Sequence, residues 1–401
     1  MILENILEKV SEQQKTRLMG LDEGLIREKK LHLKSLASHA LIISGVRRCG
    51  KSTLLLQLLK KEKNTFYLNF ETPLLYGFSI TDFERLDKVI EKANSKWLFF
   101  DEIQIVDEWE RYIRQKLDEG YKIVITGSNA SLLSKELGSK LTGRHITQEL
   151  FPFSYDEYLQ YKNREKGSDS FMEYMNIGGF PEHIKSGDSE QLYQLFNDLL
   201  IRDIVVRHHI KDIKNLQLLS LFLISNIGNR ITASKLKQSF SVSATSTISA
   251  WFSYLEDAYL IFFVPMCKTS LRAQVINPRK IYAIDTGLVN IVSSNIQNDS
   301  GHKLENMVYL HLRKKYQQIF YFDENGECDF ITFKRNKIAE IVQVCFHLNP
   351  DNIQREVNGL KKAMRAFNQK KAVIVTSDQK DSFSEDGYQI NVIPAYDYLL
   401  M

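Results

Sequence analysis

The stretch "ALIISGVRRCGKSTLLLQLL", residues 40–59, constrains the fold more than any other part of this 401-residue chain. A short apolar strand runs into a GxxxxGKS loop, and an apolar helix follows at once. In that context the loop cradles phosphate: backbone N–H groups of Gly45, Val46, Arg47, Arg48, Cys49, Gly50, Lys51, Ser52 and Thr53 surround an anion, with a helix N-terminus behind them. Lys51 is expected to reach the β and γ oxygens, and the Ser52 hydroxyl to hold Mg²⁺. The expected ligands are therefore ATP and Mg²⁺. Arg47 and Arg48 are bulky for such a loop, so their side chains are expected to face solvent or a partner.

Between residues 40 and 150, runs of strand length alternate with amphipathic helices: "ALIISG", "TFYLNF", "KWLFFDE", "YKIVITGS" and "HITQELF". That alternation predicts an α/β fold with a parallel sheet and helices on both faces. "KWLFFDEIQ" ends in paired acids, which places Asp101 to position Mg²⁺ through water and Glu102 to orient or activate the attacking water. Loop and acids together specify hydrolysis. The next strand, "YKIVITGSNAS", presents Asn129, or else Ser128, beside the γ-phosphate as a sensor. Asn69 ends the "TFYLNFE" strand and is either an ordinary strand-end residue or a holder of Glu102 until ligand arrives. Arg144, in "KLTGRHITQELF", precedes the fifth strand. In ring ATPases an arginine there enters the neighbouring subunit's nucleotide site and is worth roughly 10³ to 10⁵ in rate; the alternative is an intramolecular ion pair. The first reading implies a homo-oligomer.

The length suits two to four domains. The N-terminus "MILENILEKV" carries acids where a signal peptide carries basic residues, and no apolar run approaches the ~20 residues that span a bilayer, so a cytoplasmic location without membrane partners is expected. Cys49, Cys267, Cys328 and Cys345 lack CxxC spacing, which predicts neither disulfides nor zinc. A net charge of +4 permits contact with nucleic acid without arguing for it.

As a set, "GVRRCGKSTL", "FFDEIQ", "ITGSNASLLS", "LTGR", "FPFSYDEYL", "GGFPE", "IYAIDTGL", "GHKLENMVYLHL" and "GECDF" resemble the bacterial and archaeal AAA-type P-loop ATPases that carry a C-terminal domain of unknown function with a restriction-endonuclease-like fold. The resemblance spans nearly the whole chain. It implies the strand order of the additional-strand P-loop ATPases and a succession of parts. These are an N-terminal helical lead-in (1–36), the ATPase core (37–150), a helical lid (151–210), a winged helix (211–285) and a mixed α/β nuclease-like domain (286–401).

In the winged-helix segment "TASKLKQSF", with Thr232 as N-cap, is the second helix and "SATSTISAWFSYLEDAYL" the third. The start of the third offers Ser243, Thr245, Ser246 and Thr247 but no Lys or Arg between 241 and 250. Arg230, Lys235, Lys237, Lys268, Arg272, Arg279 and Lys280 lie on the flanks, which suits contact with DNA phosphates better than base reading. Packing of domains or binding of a protein is the alternative. In the nuclease fold, Glu305 in "KLENMVYLHL" and Asp329 in "ECDF" match two metal-holding acids, whereas Gln343 and Cys345 stand where an acid and a lysine belong. Glu340 lies on the opposite strand face. Lys361 or Lys362 would restore the lysine, and nothing would restore the acid. The expected function is Mg²⁺-dependent ATP hydrolysis coupled to DNA binding or remodelling, with the nuclease shell inactive. The alternatives are an ATP-dependent switch or scaffold for a protein partner, and an ATP-dependent nuclease.

Overall fold

In a computed structural model, β1 (Ala40–Ser44), β2 (Thr65–Asn69), β3 (Trp97–Asp101), β4 (Lys122–Gly127) and β5 (His145–Glu149) form one parallel sheet in the order β2-β3-β4-β1-β5. Every residue of β1 and β3 is buried, which is why these strands read as unbroken apolar runs rather than alternating ones. Helices α1 (Glu4–Met19), α2 (Lys51–Lys61), α3 (Phe83–Lys92) and α4 (Trp109–Asp118) belong to the first of two units, Met1–Phe151. Because β1 lies beside β4, and β4 beside β3, the C-terminal ends of all three strands meet at one edge of the sheet. Ligand sites of parallel sheets form at such edges. The structure describes residues 1–27, 38–128, 141, 143–240, 242, 244–268, 270–293, 299–324, 326–385 and 387–401.

The lead-in was expected to be helical through residue 36. Instead α1 ends at Met19 with Gly20 as its C-cap, residues 21–27 run without helix, and 28–37 lie outside the described residues. Leu7 and Val10 of α1 join Phe66 and Leu68 in the core. Gln14 uses both ends of its amide on the backbone of Asn69, donating to the carbonyl at 3.0 Å and accepting from the N–H at 2.8 Å. The edge strand β2 thus has its last peptide groups paired.

The second unit, Pro152–Met401, opens with helices Tyr155–Lys162, Ser168–Ile177, Pro181–Ser186 and Ser189–Asp198, the last running on into a π-helical stretch, Leu199–Val206. Helices Ile213–Ser225, Ala233–Ser239 and Thr245–Asp257 follow, with a small antiparallel sheet of β6 (Arg230–Ile231), β8 (Arg279–Ala283) and β7 (Ile261–Val264), in which β8 is central. Thr232 caps the Ala233–Ser239 helix through the Lys235 N–H. The remainder is a mixed six-stranded sheet, order β13-β14-β12-β11-β10-β9, built from β9 (Gln318–Asp323), β10 (Glu327–Lys334), β11 (Lys337–Val344), β12 (Lys371–Thr376), β13 (Asp381–Glu385) and β14 (Tyr388–Pro394). It is accompanied by helices Ser300–Lys315 and Ile353–Ala366.

Two distant motifs close on each other in this unit. Asp285 accepts from Gly179 N at 2.6 Å and from Leu288 N at 3.0 Å, so one carboxylate caps the Thr286–Val292 helix and fastens the "GGFPE" turn. Gly178 has φ 78° and ψ −167°, a region reserved for glycine, and a Cβ there would lie 2.2 Å from the Asp285 carboxylate.

Candidate functional site

The phosphate loop leaves β1 and enters α2 through two left-handed residues, Arg48 and Gly50 (φ 61° and 101°). At Gly45 an added Cβ would sit 2.1 Å from the Leu150 carbonyl oxygen, so only glycine lets the loop rest on the end of β5. Lys51 is buried and folds back to donate to the Gly45 and Val46 carbonyls at 2.9 and 3.0 Å. Cys49 is buried, its thiol donates to Leu150 O, and burial raises its pKa. Its part in the loop is therefore through the backbone. Arg47 pairs with Glu71 at 3.2 Å, partly exposed.

The loop also rests on a residue absent from the sequence reading. Arg27 is buried and donates to Cys49 O at 2.9 Å and to Phe151 O at 3.0 Å. Its own N–H is held by Gln57 Oε1 of α2. No local spacing marks an arginine whose partners lie 22 and 124 residues away.

Ser52 Oγ donates to Asp101 Oδ2 at 3.1 Å. Asp101 is fully enclosed: Thr126 donates to its other oxygen, and Tyr67 OH and Asn69 Nδ2 reach Oδ2 at 3.2 and 3.3 Å. Burial, then the neighbouring Glu102 charge, raises the Asp101 pKa, while Thr126, Lys51 and Ser52 oppose the rise. A hydroxyl and a carboxylate at hydrogen-bond distance, beside a helix N-terminus, are the oxygen donors a hard divalent cation takes. The residues therefore fit Mg²⁺, and the loop fits a polyphosphate.

Glu102 departs from the sequence expectation in its partners. It adopts the left-handed conformation (φ 56°), and its Oε2 accepts from Gln104 Nε2 and from Ser128 N and Oγ, the last two at 3.3 Å. Asn69, weighed as a holder of Glu102 or an ordinary strand-end residue, holds Asp101. Ser128, weighed as a phosphate sensor, sits on Glu102. Asn129 lies outside the described residues. Arg144 stands at the N-terminal end of β5, where His145 pairs with Ala40, away from the loop at Gly45. Its guanidinium pairs with Asp118 at 2.7 Å.

In the second unit the residues matched to a nuclease centre do converge, but around a lysine. Lys280 of β8, 3% exposed, donates to Asp329 at 2.6 Å and to Glu305 at 3.0 Å, and lies 3.0 Å from Glu327. It had been expected among the exposed phosphate-contacting flanks. Arg230 and Lys268, from the same expected set, are held by Asp323 with Glu327 and by Glu324. Tyr282, two residues on and so on the same strand face, donates to Glu305 at 2.6 Å. Burial and the Asp329 charge push Glu305 up to about 7, against the pull of Lys280 and Tyr282. Burial works to lower the Lys280 pKa, yet the Asp329, Glu305 and Glu327 carboxylates hold it well above its usual value.

Gln343 bridges Asp329 N and Glu356, at 3.2 and 2.6 Å. Glu356, from the Ile353–Ala366 helix, is thus the acid that Gln343 engages. It does not join the Lys280 cluster directly. Cys345 donates to His347 O, and burial raises its pKa to about 11. Glu340 lies apart, accepting from Tyr316 and Tyr398. Lys361 is engaged by Glu385, whereas Lys362 lines the cavity of about 870 Å³ above the cluster. Among the described residues no three His, Cys, Asp or Glu side chains converge to hold a metal, and no helix is long and apolar enough to cross a membrane.

Residues 37–159 match the family model of an AAA domain, and residues 168–300 match a domain of unknown function, DUF8612. "Uncharacterized protein MJ1544" of Methanocaldococcus jannaschii is 33% identical over 92% of this chain and 90% of its own. An "Uncharacterized protein" of Haemophilus influenzae is 30% identical over 90% of this chain and 94% of its own. Among solved structures, that of the Aeropyrum pernix ORC1 protein in complex with DNA aligns at TM-score 0.36 and 14% identity, over 69% of this chain and 96% of that one.

Proposed function

The chain belongs to the same family as MJ1544 of Methanocaldococcus jannaschii and contains an AAA domain, and from that premise we propose that it hydrolyses ATP with Mg²⁺ at the edge where β1, β3 and β4 end. One observation carries the reading. Lys51, Ser52, Asp101 and Glu102 stand at that edge, with Ser52 3.1 Å from Asp101, although 49 residues separate the two motifs. The loop N–H groups and Lys51 would bind and orient the polyphosphate, Lys51 exchanging two carbonyl partners for phosphate oxygens. Ser52 and Asp101 would hold Mg²⁺, which supplies charge neutralisation on the phosphates when bound. Glu102, once released by Ser128 and Gln104, would accept the proton of the attacking water. Lys51→Ala is expected to abolish binding of a fluorescent ATP analogue, and Glu102→Gln to retain binding while losing turnover. Tight binding by the Lys51 variant would refute the assignment.

For the C-terminal half we propose a gripping role without phosphodiester cleavage, DNA being the partner. Lys235, Lys237, Arg272 and Arg279 are the remaining phosphate contacts, since Arg230, Lys268 and Lys280 are committed to carboxylates. That commitment also favours the second reading, a switch or scaffold for a protein partner. Salt-sensitive duplex binding with DNA-stimulated hydrolysis supports the first, and absence of both supports the second.

A further inference from the structure

The metal that a nuclease-like core would imply does not fit this cluster. Glu305, Glu327 and Asp329 each approach the Lys280 ammonium within 3.0 Å. A divalent cation bound at about 2.0–2.6 Å from the same oxygens would have to occupy the volume that Nζ occupies. The lysine is not a mobile surface group. It projects from the central strand β8 of its sheet, between Val264 of β7 and Arg230 of β6 in register, and its ammonium lies 5.9 Å from the Tyr321 ring centre.

The surroundings are built for a monovalent, hydrogen-bonding cation. An ammonium offers three donors and no acceptor, and three carboxylates receive them. Protein donors reach the same carboxylates. Val344 N donates to Asp329 Oδ2 at 2.8 Å, Tyr282 OH donates to Glu305, and Arg230 donates to Glu327 at 2.8 Å.

We propose that Lys280 is the resident cation of this cluster, replacing a divalent metal with a covalently attached charge, and that its removal exposes a latent Mn²⁺ or Mg²⁺ site formed by Glu305, Glu327 and Asp329. The core then keeps its charge balance at any metal concentration, and the cavity above it is a metal-independent chamber. This inference does not depend on ATP hydrolysis in the first unit.

The test is Mn²⁺ titration of the nucleotide-free full chain, followed by the electron paramagnetic resonance signal of free Mn²⁺. Every protein carries Ser52→Ala, so that the phosphate loop contributes no site. With Lys280 present, no Mn²⁺ binding that depends on Asp329 is expected. Lys280→Ala should gain one bound Mn²⁺, with affinity raised about a hundredfold or more by loss of the adjacent positive charge, and Asp329→Asn should cancel the gain. Should Lys280→Ala unfold without metal, recovery of its near-ultraviolet circular dichroism on adding Mn²⁺ is the expected result. Three outcomes overturn the proposal: Mn²⁺ binding with Lys280 present that Asp329→Asn removes, a folded Lys280→Ala that gains no site, and an unfolded one that millimolar Mn²⁺ does not restore.

Discussion

At the scale of single residues, the assignment of partners at the phosphate edge follows from strand register. Asn69 of β2 is level with Asp101 of β3, and paired residues of neighbouring strands point to the same face. Glu102, one residue later, belongs to the other face and is turned further by its left-handed backbone, so Ser128 and Gln104 receive it. Asn69→Ala is therefore expected to act on the metal, lowering Mg²⁺ affinity by about 10- to 100-fold while leaving kcat at saturating Mg²⁺ nearly unchanged. Gln104→Ala should do the reverse, altering kcat with the Mg²⁺ requirement preserved. Steady-state ATPase assays across Mg²⁺ concentrations separate the two, and a kcat loss in Asn69→Ala at saturating Mg²⁺ would contradict this division. The loop and the paired acids were legible in the sequence because each is a contiguous strand-end signal. The Asn69 pairing was not, since register sets which strand-end residues share a face.

At the scale of elements, the second unit is held by contacts that no window of sequence contains. Asp285 reaches Gly179 across 106 residues, and Lys280 reaches Asp329 across 49. The basic flank and the acidic positions were each visible as residues, but their mutual cancellation depends on β8 packing against β10. Gly178→Ala is expected to prevent folding of this unit, because the new Cβ meets Asp285 in a conformation that L-residues avoid. Asp285→Asn should be milder than Asp285→Ala, which leaves two buried N–H groups unpaired at about 1–3 kcal/mol each. Chemical denaturation followed by circular dichroism ranks the three variants. Glu256 adds a pH dependence: burial pushes its pKa up to about 7, only partly offset by the Phe263 N–H. An acid whose folded pKa is raised contributes stability that is present below its ordinary value near 4.5 and is lost as pH rises through about 7. The melting temperature of the second unit should therefore fall between pH 5 and pH 8, in the range set by that shift, and Glu256→Gln should flatten the fall. An unchanged slope in that variant would assign the dependence to another raised acid of this unit, such as Glu305.

At the scale of the whole molecule, the position of Arg144 decides what kind of assembly could be active. β5 pairs with β1 in parallel from Ala40 to Ser44, so Arg144 and the phosphate loop stand at opposite ends of strands five residues long, about 16 Å apart at ~3.3 Å per residue. That span keeps Arg144 away from its own subunit's nucleotide. An arginine that contributes to hydrolysis from this place must do so in a neighbouring copy. Its present partner, Asp118, is more than half exposed, and solvent and salt weaken an exposed pair, so the pair would yield readily to a phosphate. The expected behaviour is complementation: Arg144→Ala and Glu102→Gln are each inactive alone, and mixing them restores part of the ATPase activity, because some interfaces then combine an intact Glu102 with an intact Arg144. Activity should rise with protein concentration in the same range in which sedimentation detects oligomers. A monomer that retains full activity as Arg144→Ala would reduce the Arg144–Asp118 contact to a surface ion pair and remove the reason for an assembly.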